Sequence, residues 1–368
     1  MKNNFAIDIK QFTSVLINVL CVKILFTFPK RLIITSGNAA WIQMLFLTVL
    51  MLVFFNFLIK AYAESPGLDL IDLSEKAGGK WLKYFVGLWV SFALFLNLAS
   101  VIRGYPDMVK MVLLPDTPIE IILLVFAVVT AIAVYFGFEA IVRIHSIYIP
   151  FFIGIFCIFF LFLLPHTNIY NIFPILGKGG MNVFVRGLES IDFFDDLLLL
   201  GLFMPYVRDI NEARRGGFRA IAVSGGLAVV GILLYTLIYP YPSSQKFIVP
   251  VYQLTRLVGI GDFFQRFEAF FEFVWSISVF LYASVYLLFL CMVWKKSFNL
   301  KYERPIIFPL IATATIFSYT SQNLQDIVFN YWYLTVFMLF TVFVLPIILS
   351  FAYNKKRKIT SHKKEQEV

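Results

Sequence analysis

Two apolar stretches of the chain carry charges at their centres. The first, N-V-L-C-V-K-I-L-F-T-F-P over 18–29, holds Lys23; the second, I-D-F-F-D-D-L-L-L-L-G-L-F-M-P over 191–205, holds Asp192, Asp195 and Asp196. An isolated lysine or aspartate at the middle of a bilayer costs roughly 2.5–3.5 kcal/mol on insertion scales, and such residues mark solute pathways and proton relays. Pairing Lys23 with Asp195 or Asp196 would recover part of that cost. Two kinds of chemistry stay open at this point. The charges line a midplane site that binds a zwitterionic or charged solute or carries a proton, or they form a structural ion pair that fixes helix packing. Asp192 lies a turn nearer the outer surface and is expected to face water. Asn18 and Thr27 flank Lys23 and can bond either a ligand or a neighbouring helix.

Other charges are candidates for gating or for proton and ion pairing. Arg103 ends a span, where its side chain can snorkel to the interface. Glu139 and Arg143 are i,i+4 partners, suited to a salt-bridged helix entry or to an inner gate. Glu268 opens a late span, and Glu272 lies one turn deeper as a second buried acid. His145, His166 and His362 are far apart, so no metal site is expected. The chain has no GxGxxG or GxSxG, and GKGG at 177–180 lacks the spacing of a phosphate-binding loop. Neither an enzyme nor a cofactor is expected, and function must come from polar groups inside a bundle.

The elements that position these groups follow from composition. Of 368 residues, 60% are hydrophobic and 14% charged, against about 45–50% and about 25% in soluble domains. The excess recurs along the whole length in runs of the ~20 apolar residues a bilayer requires. The pattern predicts a polytopic all-α membrane protein of ten spans, at about 11–33, 39–62, 82–105, 118–137, 146–164, 187–205, 218–239, 266–294, 304–319 and 330–353. The N-terminal run reads as the first span, because it carries Lys23 and lacks a small-residue cleavage site. The net charge of +9 sits in short segments between apolar runs, a distribution that fits cytoplasmic loops and anionic headgroups and not nucleic acid. Basic residues at 206–219, 295–304 and 355–358 fall on one side if there are ten spans, which puts both termini in the cytoplasm. Cys21, Cys157 and Cys291 all lie in apolar runs and are expected to be packing residues. Trp41, Trp81, Trp294 and Trp332 lie near span ends, as an aromatic belt predicts.

The chain resembles the endospore germination permease family, the B subunits of bacterial spore nutrient-germinant receptors, within the amino acid–polyamine–organocation superfamily. The resemblance rests on N-x-x-x-x-K-I-L-F-T-F-P (18–29), R-G-Y-P-D-M-V-K (103–110) with D-T-P at 116–118, G-F-E-A-I-V-R (137–143), N-I-F-P-I-L-G-K-G (171–179) and R-F-E-A-F-F-E-F-V-W (266–275). It implies a single membrane domain of the LeuT type, with about 11–164 and about 187–353 as inverted five-helix repeats. Residues 1–10 and 354–368 would be cytoplasmic ends. It also implies a spore inner-membrane location, an A subunit and a lipoprotein C subunit as partners, and an amino acid or similar nutrient as ligand. A proton-coupled permease and a channel-like subunit passing ions or water use the same fold. By this resemblance Val22, Lys23, Ile24, Leu25 and Thr27, with Asp195, Asp196 and Gly201, belong to the ligand pocket. One departure stands out: many relatives keep glycines at the break in span one, and here the place reads Val22-Lys23-Ile24. A stretch without glycine is less ready to unwind, so either Lys23 supplies the positive charge through its side chain or the ligand is not a simple α-amino acid.

Overall fold

The computed structural model describes residues 6–258, 267–319 and 332–366. Arg266, the first residues of the expected eighth and tenth spans, and the expected loop at 320–329 lie outside the described residues.

The first apolar run is broken at the lysine. Helix α1 (Ile9–Val22) starts with a capping box, in which the Gln11 side chain accepts from the Asp8 backbone N–H at 3.1 Å. A short 3-10 turn over Lys23–Leu25 follows, and α2 (Phe28–Ser36) then begins anew with Pro29 in its first turn. Proline needs no N–H there, and in a continuous helix its ring would collide with the carbonyl of Leu25. The break therefore forms without glycine, because the proline ring substitutes for backbone freedom.

The chain continues through α3 (Ala40–Ala63), α4 (Leu70–Val112), α5 (Ile119–Tyr135), α6 (Phe138–Leu163) and the short α7 (Gly180–Phe184). Next comes a twelve-residue 3-10 run, Arg186–Leu197, leading into α8 (Leu198–Phe203). Then follow α9 (Ile210–Ile238), α10 (Pro250–Thr255), α11 (Phe267–Ser297), α12 (Arg304–Ser318) and α13 (Trp332–Leu339), which passes through a π turn into α14 (Leu345–Gln366). Among the described residues no sheet forms; a lone parallel bridge pairs Ile7 with Val207. Six helical stretches are long and apolar enough to cross a bilayer, and α5 and α12 are shorter apolar helices. The protein is an all-helical, multi-pass membrane protein.

Several helices start earlier than hydropathy suggests. Helix α4 begins at Leu70 rather than near 82, because the Asp69 side chain caps it by accepting from the N–H groups of Ile71 and Asp72. It kinks at Gly79, whose φ of +81° only glycine adopts freely. Helix α9 begins at Ile210, so Arg214, Arg215 and Arg219 lie on a helix and not in a loop. Cys21 and Cys291 are buried as expected, whereas Cys157 faces outward on α6.

Helix α1 forms the centre, packed by α6, α9 and α11, while α3 lies along α9 and α4 along α11. Glycines set the α3–α9 spacing. A Cβ on Gly217 would fall 2.2 Å from the Phe55 ring, and one on Gly225 2.3 Å from Thr48. Small residues at such seams let backbones approach. Gly217→Ala is therefore expected to lower the stability of the purified protein by about 1–3 kcal/mol through overpacking. An unchanged unfolding midpoint would show that Phe55 swings aside freely.

Candidate functional site

The break between α1 and α2 faces the 3-10 run. In a 3-10 helix, residues three apart lie one above the other, so Glu189, Asp192 and Asp195 form one acidic row. Lys23 reaches this row from the break. Its ammonium donates to Asp195 Oδ1, donates to the Asp192 carbonyl at 2.9 Å, and lies 3.0 Å from Asp196 Oδ2. Asp196 is fully buried behind the lysine. Its Oδ1 accepts from the Tyr282 hydroxyl at 2.9 Å and from that of Tyr286. These two tyrosines stand one turn apart on α11, their rings stacked 4.6 Å apart. Buried tyrosine hydroxyls require partners, and Asp196 serves both.

A second cation completes the arrangement. Arg31 on α2 donates to Asp192 Oδ1 and lies over the Phe28 ring at 5.2 Å. Asp192 is thus half-buried and paired rather than simply hydrated. Lys23, Arg31 and the acidic row line a cleft of about 390 Å³, walled by Phe26 and Thr27 at the break, by Asn97 on α4 and by Met338 on α13. Its volume lies at the small-molecule end of ligand pockets.

Of the residues singled out in the sequence, Lys23, Thr27, Asp192 and Asp195 line this cleft, and Asp196 is held against Lys23. Val22, Ile24 and Leu25 are buried in the apolar core instead. Gly201 packs on Tyr62 and Leu70, where a Cβ would come within 2.1 Å of the Tyr62 hydroxyl. Asn18 joins helices: its amide donates to the Ser278 carbonyl at 3.1 Å and lies 3.3 Å from Nε2 of the buried His145.

The remaining charges lie elsewhere. Arg103 pairs with Asp107 at 2.9 Å and lies over the Tyr319 ring. Glu139 pairs with Arg143 on an exposed surface and borders a second cavity of about 510 Å³. There Lys296 bridges Asp69 and Asp72, and Lys295 pairs with Glu303 at 3.0 Å. Burial pushes the Asp69 carboxyl up to about 6, despite the Lys296 ammonium beside it. Glu268 is half-buried on the first turn of α11, and Glu272 is buried, with Oε1 unpartnered among the described residues. Neither lines the cleft.

Arg31, Glu189, Tyr282 and Tyr286 were not visible as site residues in the sequence. The tyrosines carried a signal, two hydroxyls at i,i+4 in an apolar helix. The acidic spacing of three becomes a row only once the segment is known to be 3-10.

The family model described as "Spore germination protein" matches residues 6–327. The chain belongs to this spore germination family. Spore germination protein A2 of Bacillus subtilis (strain 168) is 28% identical, covering 95% of this chain and 96% of that protein. Spore germination protein KB of the same organism is 22% identical, covering 93% and 95%. Among solved structures, that of MHP1, a nucleobase-cation-symport-1 family transporter in a closed conformation with bromovinylhydantoin bound, matches with a TM-score of 0.57. It is 12% identical and covers 89% of this chain and 74% of that one, so the two share a transporter fold.

Proposed function

We propose that the protein is the transporter-like B subunit of a spore germinant receptor, which binds a small nutrient at the break between α1 and α2 and signals to an A subunit and a lipoprotein C subunit. In this reading it lies in the spore inner membrane with both termini cytoplasmic. Ten spans arise when α1–α2 counts as one broken span and Arg186–Phe203 as another, beside α3, α4, α5, α6, α9, α11, α12 and α13–α14. The two broken helices then open two inverted repeats, with the ligand between them.

The observation that carries this reading is the cleft's charge balance. Lys23 and Arg31 face Glu189, Asp192 and Asp195, with Asp196 immediately behind. Acids exceed bases, and Lys23 is already held by two carboxylates. A ligand bearing an ammonium group answers that excess, as an amino acid or related amine would. It acts by binding one conformation more tightly than the other.

Glu189→Gln is expected to raise the half-maximal nutrient concentration for germination about 10-fold or more, the worth of a hydrogen bond to a charged group. An unchanged dose response across amine-bearing nutrients would remove the row from ligand binding. The transporter fold also supports a proton-coupled permease; nutrient uptake into vesicles holding this chain alone would favour it over the receptor.

A further inference from the structure

We propose that the α3–α9 seam holds an anionic phospholipid, its phosphate bound by Arg214, Arg215 and Arg219. The three guanidinium groups, with Asn211 and Phe218, line one hollow near the start of α9. All three arginines are exposed. Arg214 is oriented by donating to Asn56 Oδ1 at 3.0 Å and by lying over the Phe218 ring at 6.0 Å. None of the three forms an ion pair among the described residues. Of the nearby acids, Glu212 keeps Oε2 buried without a partner and Asp209 accepts from the Asn211 amide at 3.0 Å. The site therefore presents three guanidinium groups that no carboxylate engages among the described residues, and their planar forks suit a phosphate.

The second observation makes the occupant an amphiphile. Asn56, which Arg214 grips, is preceded in α3 by Val53, Val49 and Leu45, exposed at four-residue steps along the same side of that helix. Helix α3 runs antiparallel to α9, since Asn56 meets Arg214 while Thr48 meets Gly225. The apolar track thus leads from the arginines into the depth of the bilayer. Across the seam, Gly226 is exposed and a Cβ there would meet nothing within 4 Å. A headgroup at the arginines would place an acyl chain along this track. A free phosphate would use the charges and leave the track bare.

The test reconstitutes the full chain in an equimolar mixture of dioleoylphosphatidylglycerol and dioleoylphosphatidylcholine, extracts it in mild detergent and weighs the retained lipid by mass spectrometry. Phosphatidylglycerol should be enriched in the wild type, and each Arg→Gln change should lower the enrichment about fivefold at low salt. The triple variant Arg214→Gln/Arg215→Gln/Arg219→Gln should retain the two lipids equally. Lys355→Gln/Lys356→Gln/Lys358→Gln, on the last helix and outside the lining of the hollow, should keep the enrichment. Equal retention by the wild type would overturn the proposal, as would enrichment that survives the triple variant or disappears in the tail variant. Protection against thermal unfolding by inorganic phosphate equal to that by phosphatidylglycerol would also overturn it, leaving an anion site without lipid.

Discussion

Replacing Lys23 by methionine is expected to lower the stability of the purified protein by about 3–5 kcal/mol, the usual cost of removing one partner from a buried ion pair. Methionine keeps the length and the packing but leaves Asp195 and Asp196 without their shared cation. Most of the loss should return when the carboxylates are neutralised as well. Lys23→Met in an Asp195→Asn/Asp196→Asn background should therefore cost far less than in the wild type, a coupling that a double-mutant cycle measures directly. Equal cost in both backgrounds would mean that the ammonium does not serve these acids. Germination should separate the structural and ligand roles. If Lys23 only holds the 3-10 run in place, adding Lys23→Met to the Asp195→Asn/Asp196→Asn variant leaves that variant's nutrient response unchanged. If it also orients the nutrient, the addition weakens the response further although the protein stays folded.

The broad plan was legible because hydropathy is a strong, additive signal. Long apolar runs pointed to an all-helical, multi-pass chain, and the misplaced charge at Lys23 marked the break. Boundaries were less legible, because caps and turns decide them locally. Asp69 extends α4 through two side-chain hydrogen bonds, and α9 starts eight residues before its apolar part because Asn211–Arg215 are soluble helix formers ahead of the bilayer. The absence of glycine at 22–24 pointed away from unwinding, but Pro29, six residues past the lysine, determines the break. Within the site, Lys23 with Asp195 and Asp196 could be anticipated, since opposite charges in apolar runs must meet. Arg31 and Glu189 could not, because each looks like an ordinary interfacial charge until the 3-10 run turns Glu189, Asp192 and Asp195 to one side. Val22, Ile24 and Leu25 illustrate the converse. They neighbour the lysine in sequence, yet the turn points them into the core.

Removing both hydroxyls above Asp196 should have the next largest effect. Tyr282→Phe or Tyr286→Phe alone deletes one hydrogen bond to a buried carboxylate oxygen while the other tyrosine still serves it. Each single change is expected to cost about 1.5–3 kcal/mol, and the pair more than the sum, since only the double variant leaves Oδ1 bare. The consequence reaches the cleft through Lys23. An Asp196 stripped of its donors draws the ammonium toward itself, away from Asp195, and frees a carboxylate in the acidic row. The double variant should then be less stable in thermal unfolding and altered in its nutrient dose response, whereas a surface Tyr302→Phe should change neither. Repeating both changes in an Asp196→Asn background isolates the cause. An undiminished loss there would assign the tyrosines to packing alone. A loss that falls to about 0.5–1.5 kcal/mol for each neutral hydrogen bond, which the Asn oxygen still accepts, would tie α11, the 3-10 run and the break between α1 and α2 into one polar unit, through which a ligand in the cleft can act on the far side of the bundle.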